Sequence, residues 1–124
     1  MSEEFAFAPS QTLRALALRY PDVSEGASCV NRAFKVRKKN FLFVGEKNGE
    51  VKVMLKLGPS LDAARTRAST EDKLSVGGIG WVTWWLPGTG DFDQATLTRW
   101  VDESYRLMAP KSIVKKLGEG PPGE

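Results

Sequence analysis

The dipeptide Asn48-Gly49 limits the chain more than any other feature. Asn and Gly both tolerate the positive φ angles of a two-residue type I′ turn, whose twist matches a pair of antiparallel strands. On either side, residues 41–47 and 50–57 alternate between two kinds of side chain. If the turn has two residues, Lys47 faces Glu50, Leu42 faces Leu55 and Val44 faces Val53, and one face is entirely aliphatic. The opposite face then carries Phe41, Phe43 and Met54, interleaved with Lys52 and Lys56. A slip of one residue would mix the two sets, so the aliphatic pairing favours this register.

The remaining elements are read outward from this hairpin. Leu13, Leu16, Ala17 and Tyr20 recur at helical spacing behind Ser10, a residue type suited to an N-cap, and Pro21-Asp22 stops that helix. Residues 23–31 are small and polar and read as a connecting loop. Residues 32–38 alternate as a strand, with Phe34 and Val36 on one side and Lys35 and Arg37 on the other. Pro59-Ser60 opens a short helix with Leu61, Ala64 and Ala68 as its apolar stripe, and residues 75–80 read as a glycine-rich turn. Residues 81–86 form a further strand ended by Pro87-Gly88, with Val82, Trp84 and Leu86 alternating against Trp81, Thr83 and Trp85.

Asp91 or Asp93 caps a last long helix whose buried face holds Leu97, Trp100, Val101, Ser104, Leu107 and Met108. Pro110 starts a final short helix that runs to Leu117. The order α-β-β-β-α-β(-β)-α, with hairpins between helices, indicates an α+β fold with an antiparallel sheet packed on helices. We expect an N-terminal extension over 1–9, one domain over 10–117 and a disordered Gly/Pro tail over 118–124.

Composition removes several chemistries. The 124 residues include no His and one Cys, Cys29. Without His there is no Ser-His-Asp or Cys-His catalytic arrangement and no imidazole metal ligand. One Cys closes no internal disulfide and builds no thiolate cage. Asp91 and Asp93 read as helix caps, Ser104 as a small packing residue, and Gly77-Gly78-Ile79-Gly80 lacks the Gly-Lys-Ser/Thr ending of a phosphate loop. We therefore expect no catalytic residues, no metal and no cofactor. The N-terminus carries Glu3 and Glu4 rather than a basic leader, and no apolar run reaches membrane-spanning length. The expected setting is cytoplasmic, away from membranes.

Charge is distributed unevenly. Residues 32–67 hold ten basic side chains against three acidic ones, a local charge of +7, while the segments before and after carry −2 each. Positive charge gathered in one region favours phosphate-bearing partners. In the hairpin register, Lys35, Arg37, Lys52 and Lys56 point away from the aliphatic face. Trp81 and Trp85 join them if their strand lies in the same sheet. Such a face suits nucleic acid, because bases stack on aromatic rings while cations follow the phosphates. The loop around Arg37, Lys38 and Lys39 is suited to contacting a duplex backbone. The candidate nucleic-acid-binding set is therefore Lys35, Arg37, Lys38, Lys39, Lys52, Lys56, Trp81 and Trp85. The alternative is a protein-interaction module, a homodimer or chaperone-like adaptor, with Trp81 and Trp85 in its interface.

A succession of phrases adds a resemblance. Pro21-Asp22-Val23-Ser24-Glu25-Gly26 leads into Ala33-Phe34-Lys35-Val36-Arg37-Lys38-Lys39, followed by Val53-Met54-Leu55-Lys56-Leu57, Gly80-Trp81-Val82 and Ser104-Tyr105-Arg106-Leu107-Met108-Ala109-Pro110-Lys111. From Thr12 to Leu117 the chain resembles the MmcQ/YjbR-like family. The resemblance implies a two-layer, secretion-chaperone-like α+β fold with a "double wing" of hairpins, for which DNA binding is the expectation. The chain departs from that pattern at Ser28-Cys29-Val30, where an aromatic-Gly pair is common, and at residues 75–80, which contribute no basic side chain.

Overall fold

A computed structural model describes residues 5–28 and 31–118. Cys29 and Val30 of the Ser28-Cys29-Val30 departure, and nearly all of the Gly/Pro tail, lie outside the described residues. The elements are α1 (Ala8–Leu18), β1 (Val23–Ser28), β2 (Asn31–Val36), β3 (Lys39–Lys47), β4 (Glu50–Lys56), α2 (Leu61–Ala68), β5 (Leu74–Val76), β6 (Trp81–Pro87), α3 (Gln94–Met108) and α4 (Lys111–Leu117). The six strands form one antiparallel sheet in the order β1-β2-β3-β4-β6-β5. The fold is α+β, as the element order indicates.

The central hairpin has the register its turn dictates. Lys47 faces Glu50, Val44 faces Val53 and Leu42 faces Leu55. Asn48 and Gly49 take φ of 53° and 78°, the positive pair that a type I′ turn requires. Leu42, Val44, Val53 and Leu55 are fully buried beneath the helices together with Val82, Leu97, Val101 and Tyr105. Trp84 on β6 meets Trp100 on α3 with ring centroids 5.3 Å apart.

Two strands have no hydrophobic signature in the sequence. β1, read as loop, is an edge strand in which Val23 and Glu25 are only half-buried. Ladder hydrogen bonds and the ion pairs of Glu25 with Arg14 and Arg32, both 2.9 Å, hold it. Edge strands need little apolar surface and are commonly polar, which is why alternation gave no warning. β5 (Leu74–Val76), which overlaps the start of the expected turn over 75–80, pairs three residues with β6 and buries only Leu74.

A bulge corrects one face assignment. β2 and β3 pair Phe34 with Leu42 but then Lys35 with Asn40, which leaves Phe41 as the extra residue. Phe41 therefore turns into the core instead of joining Phe43 outside. There it packs edge-on against Tyr105 at 5.3 Å and against Tyr20 at 6.4 Å.

The helix ends also differ from expectation. α1 begins at Ala8, so Ser10 is inside the helix and buried rather than capping it. The capping role falls to Glu46 of β3, whose carboxylate accepts from the backbone N–H of Ala6 (3.0 Å) and Phe7 (2.8 Å) and from the Ser10 hydroxyl. α3 starts as expected, with Asp93 accepting from the Thr96 N–H at 3.1 Å. Its buried face ends on Tyr105, whose hydroxyl donates to the Pro21 carbonyl (2.7 Å), whereas Leu107 is 44% exposed.

Candidate nucleic-acid interface

The helices cover one face of the sheet and leave the other open. On that outer face the pairing sets side chains in rows across β3, β4 and β6. Phe43, Met54 and Thr83 make one row, Gly45, Lys52 and Trp85 the next, and Lys56 pairs with Trp81 on the other side. Phe43, Lys52, Met54, Lys56, Trp81 and Trp85 are all partly exposed, in contrast to their fully buried strand neighbours. In a two-layer fold the sheet buries only the face that the helices cover, so this second face stays available to solvent or a ligand.

The aromatic rings are ordered by their neighbours. Phe43 and Trp81 lie diagonally, 5.9 Å between centroids. The Lys52 ammonium is 5.5 Å from the Trp85 ring, a cation–π distance. Gly45 puts no side chain in its row, and a notch of about 130 Å³ opens there, lined by Asn31, Lys47, Lys52 and Trp85 among others. Lys35, exposed on β2, extends the face beyond Asn40.

Charge on this face is largely uncompensated. Among the described residues Lys35, Lys52 and Lys56 make no ion pair. Glu50, the acidic residue paired across from Lys47, is engaged by Lys73 at 2.9 Å. The arginines of the basic third, by contrast, are paired with carboxylates. Arg65 pairs with Asp62, and Arg32 with Glu25. Arg67 holds Glu71 and Asp93 and lies 4.6 Å over the Trp84 ring. Its hydrogen bond to Glu71 raises its pKa from an already high value.

The structure divides the candidate residues into two groups. Lys35, Lys52, Lys56, Trp81 and Trp85 share the open face. Arg37 and Lys38 form the β2–β3 turn and Lys39 begins β3, at one end of the sheet. Arg37 takes a positive φ of 59° and pairs with Asp22 at 2.9 Å. These three residues line a cleft against the end of α3 instead of the aromatic face. The sequence contained the signal for Phe43 and Met54 on the open face, but not for the Gly45 notch, which needs four strands side by side.

These features define a two-layer α+β protein whose sheet presents an open aromatic and lysine-bearing face. A family model described as YjbR matches residues 18–107, from the end of α1 through all six strands into α3. The match spans well over half of the chain, and the chain belongs to the YjbR family. Among curated proteins, none matches it. No helix among the described residues is long and apolar enough to cross a membrane.

Proposed function

We infer that the chain is a nucleic-acid-binding protein, not an enzyme, and that the open sheet face takes a single strand. The observation that carries this reading is the shared partial exposure of Phe43, Trp81 and Trp85 beside Lys35, Lys52 and Lys56, which make no ion pair among the described residues. Exposed rings give each base a stacking surface worth about 1–3 kcal/mol, and every base has such a face, so the contact tolerates sequence. The lysines are spaced along the aromatic patch, where a backbone following the bases would pass. A duplex, whose bases are already stacked, gains nothing from the rings. DNA binding is also what the resemblance to the family implies, and this face is where the chemistry for it is concentrated.

Self-association on the same face is the competing reading, and charge disfavours it. A second copy would bring Lys35, Lys52 and Lys56 against an equally cationic surface, with Glu50 already occupied by Lys73. Like charges pressed together at an interface are costly.

The test is fluorescence titration of the full chain with a labelled single-stranded oligonucleotide at low salt. Binding should quench the tryptophan signal, and Lys35→Glu with Lys56→Glu should weaken it by at least tenfold, about 1.4 kcal/mol. Absence of binding to any single strand at low salt would sink the proposal. Light scattering that rises with concentration as Trp81 and Trp85 become buried would instead favour the dimer.

A further inference from the structure

Arg37, Lys38 and Lys39 stand apart from the open face, and the wall opposite them is apolar. The two walls enclose a cleft of about 570 Å³, with the β2–β3 turn on one side and Leu107, Met108 and Pro110 at the α3–α4 joint on the other. That volume is within the range of small-molecule sites, roughly 300–1,000 Å³.

The lining has an unusual balance. Among the described residues it contains three cations and no carboxylate. Lys38 and Lys39 make no ion pair there, and the Asp22 partner of Arg37 lies in a neighbouring cleft with Ile113 and Lys116. The C-terminal end of α3 faces the cations, but a helix terminus offsets only about half a unit charge. Leu107, on the apolar side of α3 by its spacing, is 44% exposed and lines the cleft. An exposed aliphatic residue beside cations that have no carboxylate partner offers an apolar contact and a charged one side by side.

We propose that this cleft binds a small amphipathic anion, an alkyl or aryl carboxylate. Its chain lies on Leu107, Met108 and Pro110, and its carboxylate pairs with Lys38 and Lys39. The charge selects an anion, the apolar wall selects a hydrophobic body, and the volume selects a small molecule over a folded partner.

The test compares decanoate with decanol on the full chain, read from the methyl resonances of Leu107 and Met108. Decanoate should bind saturably and shift both residues, and decanol should bind about tenfold more weakly. Lys38→Gln with Lys39→Gln should bring decanoate down to the affinity of decanol. Leu107→Ser, at a position 44% exposed, should weaken both ligands while thermal unfolding checks that the variant is folded. Equal affinities for the two ligands in the unaltered protein would overturn the proposal. So would the absence of a saturable shift at Met108, or shifts confined to Trp81 and Trp85. Oligonucleotide titration of Leu107→Ser separates the two sites: unaltered strand binding beside lost decanoate binding supports this cleft alone, whereas loss of both on a folded variant overturns its independence.

Discussion

Ser104 shows how much a single side chain can hold. Continuing the β3–β4 register past Leu42 and Leu55 would set Phe41 opposite Lys56. The bulge at Phe41 opens that rung, and the Ser104 hydroxyl fills it, accepting from the Lys56 N–H at 3.0 Å and donating to the Phe41 carbonyl at 2.6 Å. The hydroxyl thereby joins α3 to two strands and satisfies two backbone groups that the sheet alone leaves unpaired. Ser104→Ala is expected to cost about 2 kcal/mol, the penalty for orphaning buried polar groups, and to speed hydrogen exchange at the Lys56 amide. An unaltered denaturation midpoint would show that water replaces the hydroxyl. Gly88 is a second such position. A Cβ there would lie 2.5 Å from the Gly49 carbonyl and 2.8 Å from the Phe7 ring. Gly88→Ala should destabilise by about 1–3 kcal/mol, as overpacking does. Adding Phe7→Ala should not restore stability, because the carbonyl belongs to the backbone.

At the scale of elements, the helices are anchored by carboxylates, some local and some distant. Asp93 caps α3 from the adjacent residue, which is why the sequence shows it. The Thr96 backbone N–H, then the Thr96 hydroxyl and Arg67, hold the Asp93 carboxyl below its usual pKa. A carboxyl depressed in the folded state contributes stability above its unfolded pKa of about 3.9, and loses it as pH falls through the folded value. Asp93→Ala should therefore cost about 1 kcal/mol at neutral pH, with the difference from the parent vanishing in strong acid. Thermal unfolding at a series of pH values measures both. Glu46 and Glu103 do comparable work from afar. Glu103 accepts from the N–H groups of Gly58 (2.7 Å) and Ser60 (2.9 Å) and so ties the start of α2 to α3. Tyr20 is fastened similarly, donating to Asp102 at 2.7 Å, with burial and that contact pushing its phenol far up.

Over the whole molecule, the +7 concentrated in residues 32–67 separates into cations paired with carboxylates, cations on the open face and cations around the cleft. Only the second group meets a strand in the proposed function. Three lysine–phosphate contacts imply a slope of about −2 in log affinity against log salt, near −0.7 per phosphate neutralised on a single strand. A slope of zero would mean that the aromatic face binds by stacking alone and the lysines are bystanders. A slope much steeper than this would bring in Arg37, Lys38 and Lys39 as well.

Much of this was legible in the chain itself. Turn chemistry at Asn48-Gly49 and the two-residue period of 41–57 determined the hairpin register and the aliphatic face, because both act between near neighbours. The Asp93 cap and the strand from Trp81 were readable for the same reason. Contacts between residues far apart decided the rest. The bulge that turns Phe41 inward depends on Tyr20 and Tyr105, the cap of α1 comes from Glu46, and β1 exists through pairing without a hydrophobic pattern. Which face the helices leave open, and which cations end up beside aromatics and which beside Leu107, follow from packing the helices on one side of the sheet. Local alternation assigns side chains to two faces; only the competition between those faces for a limited set of helices decides which one stays in water.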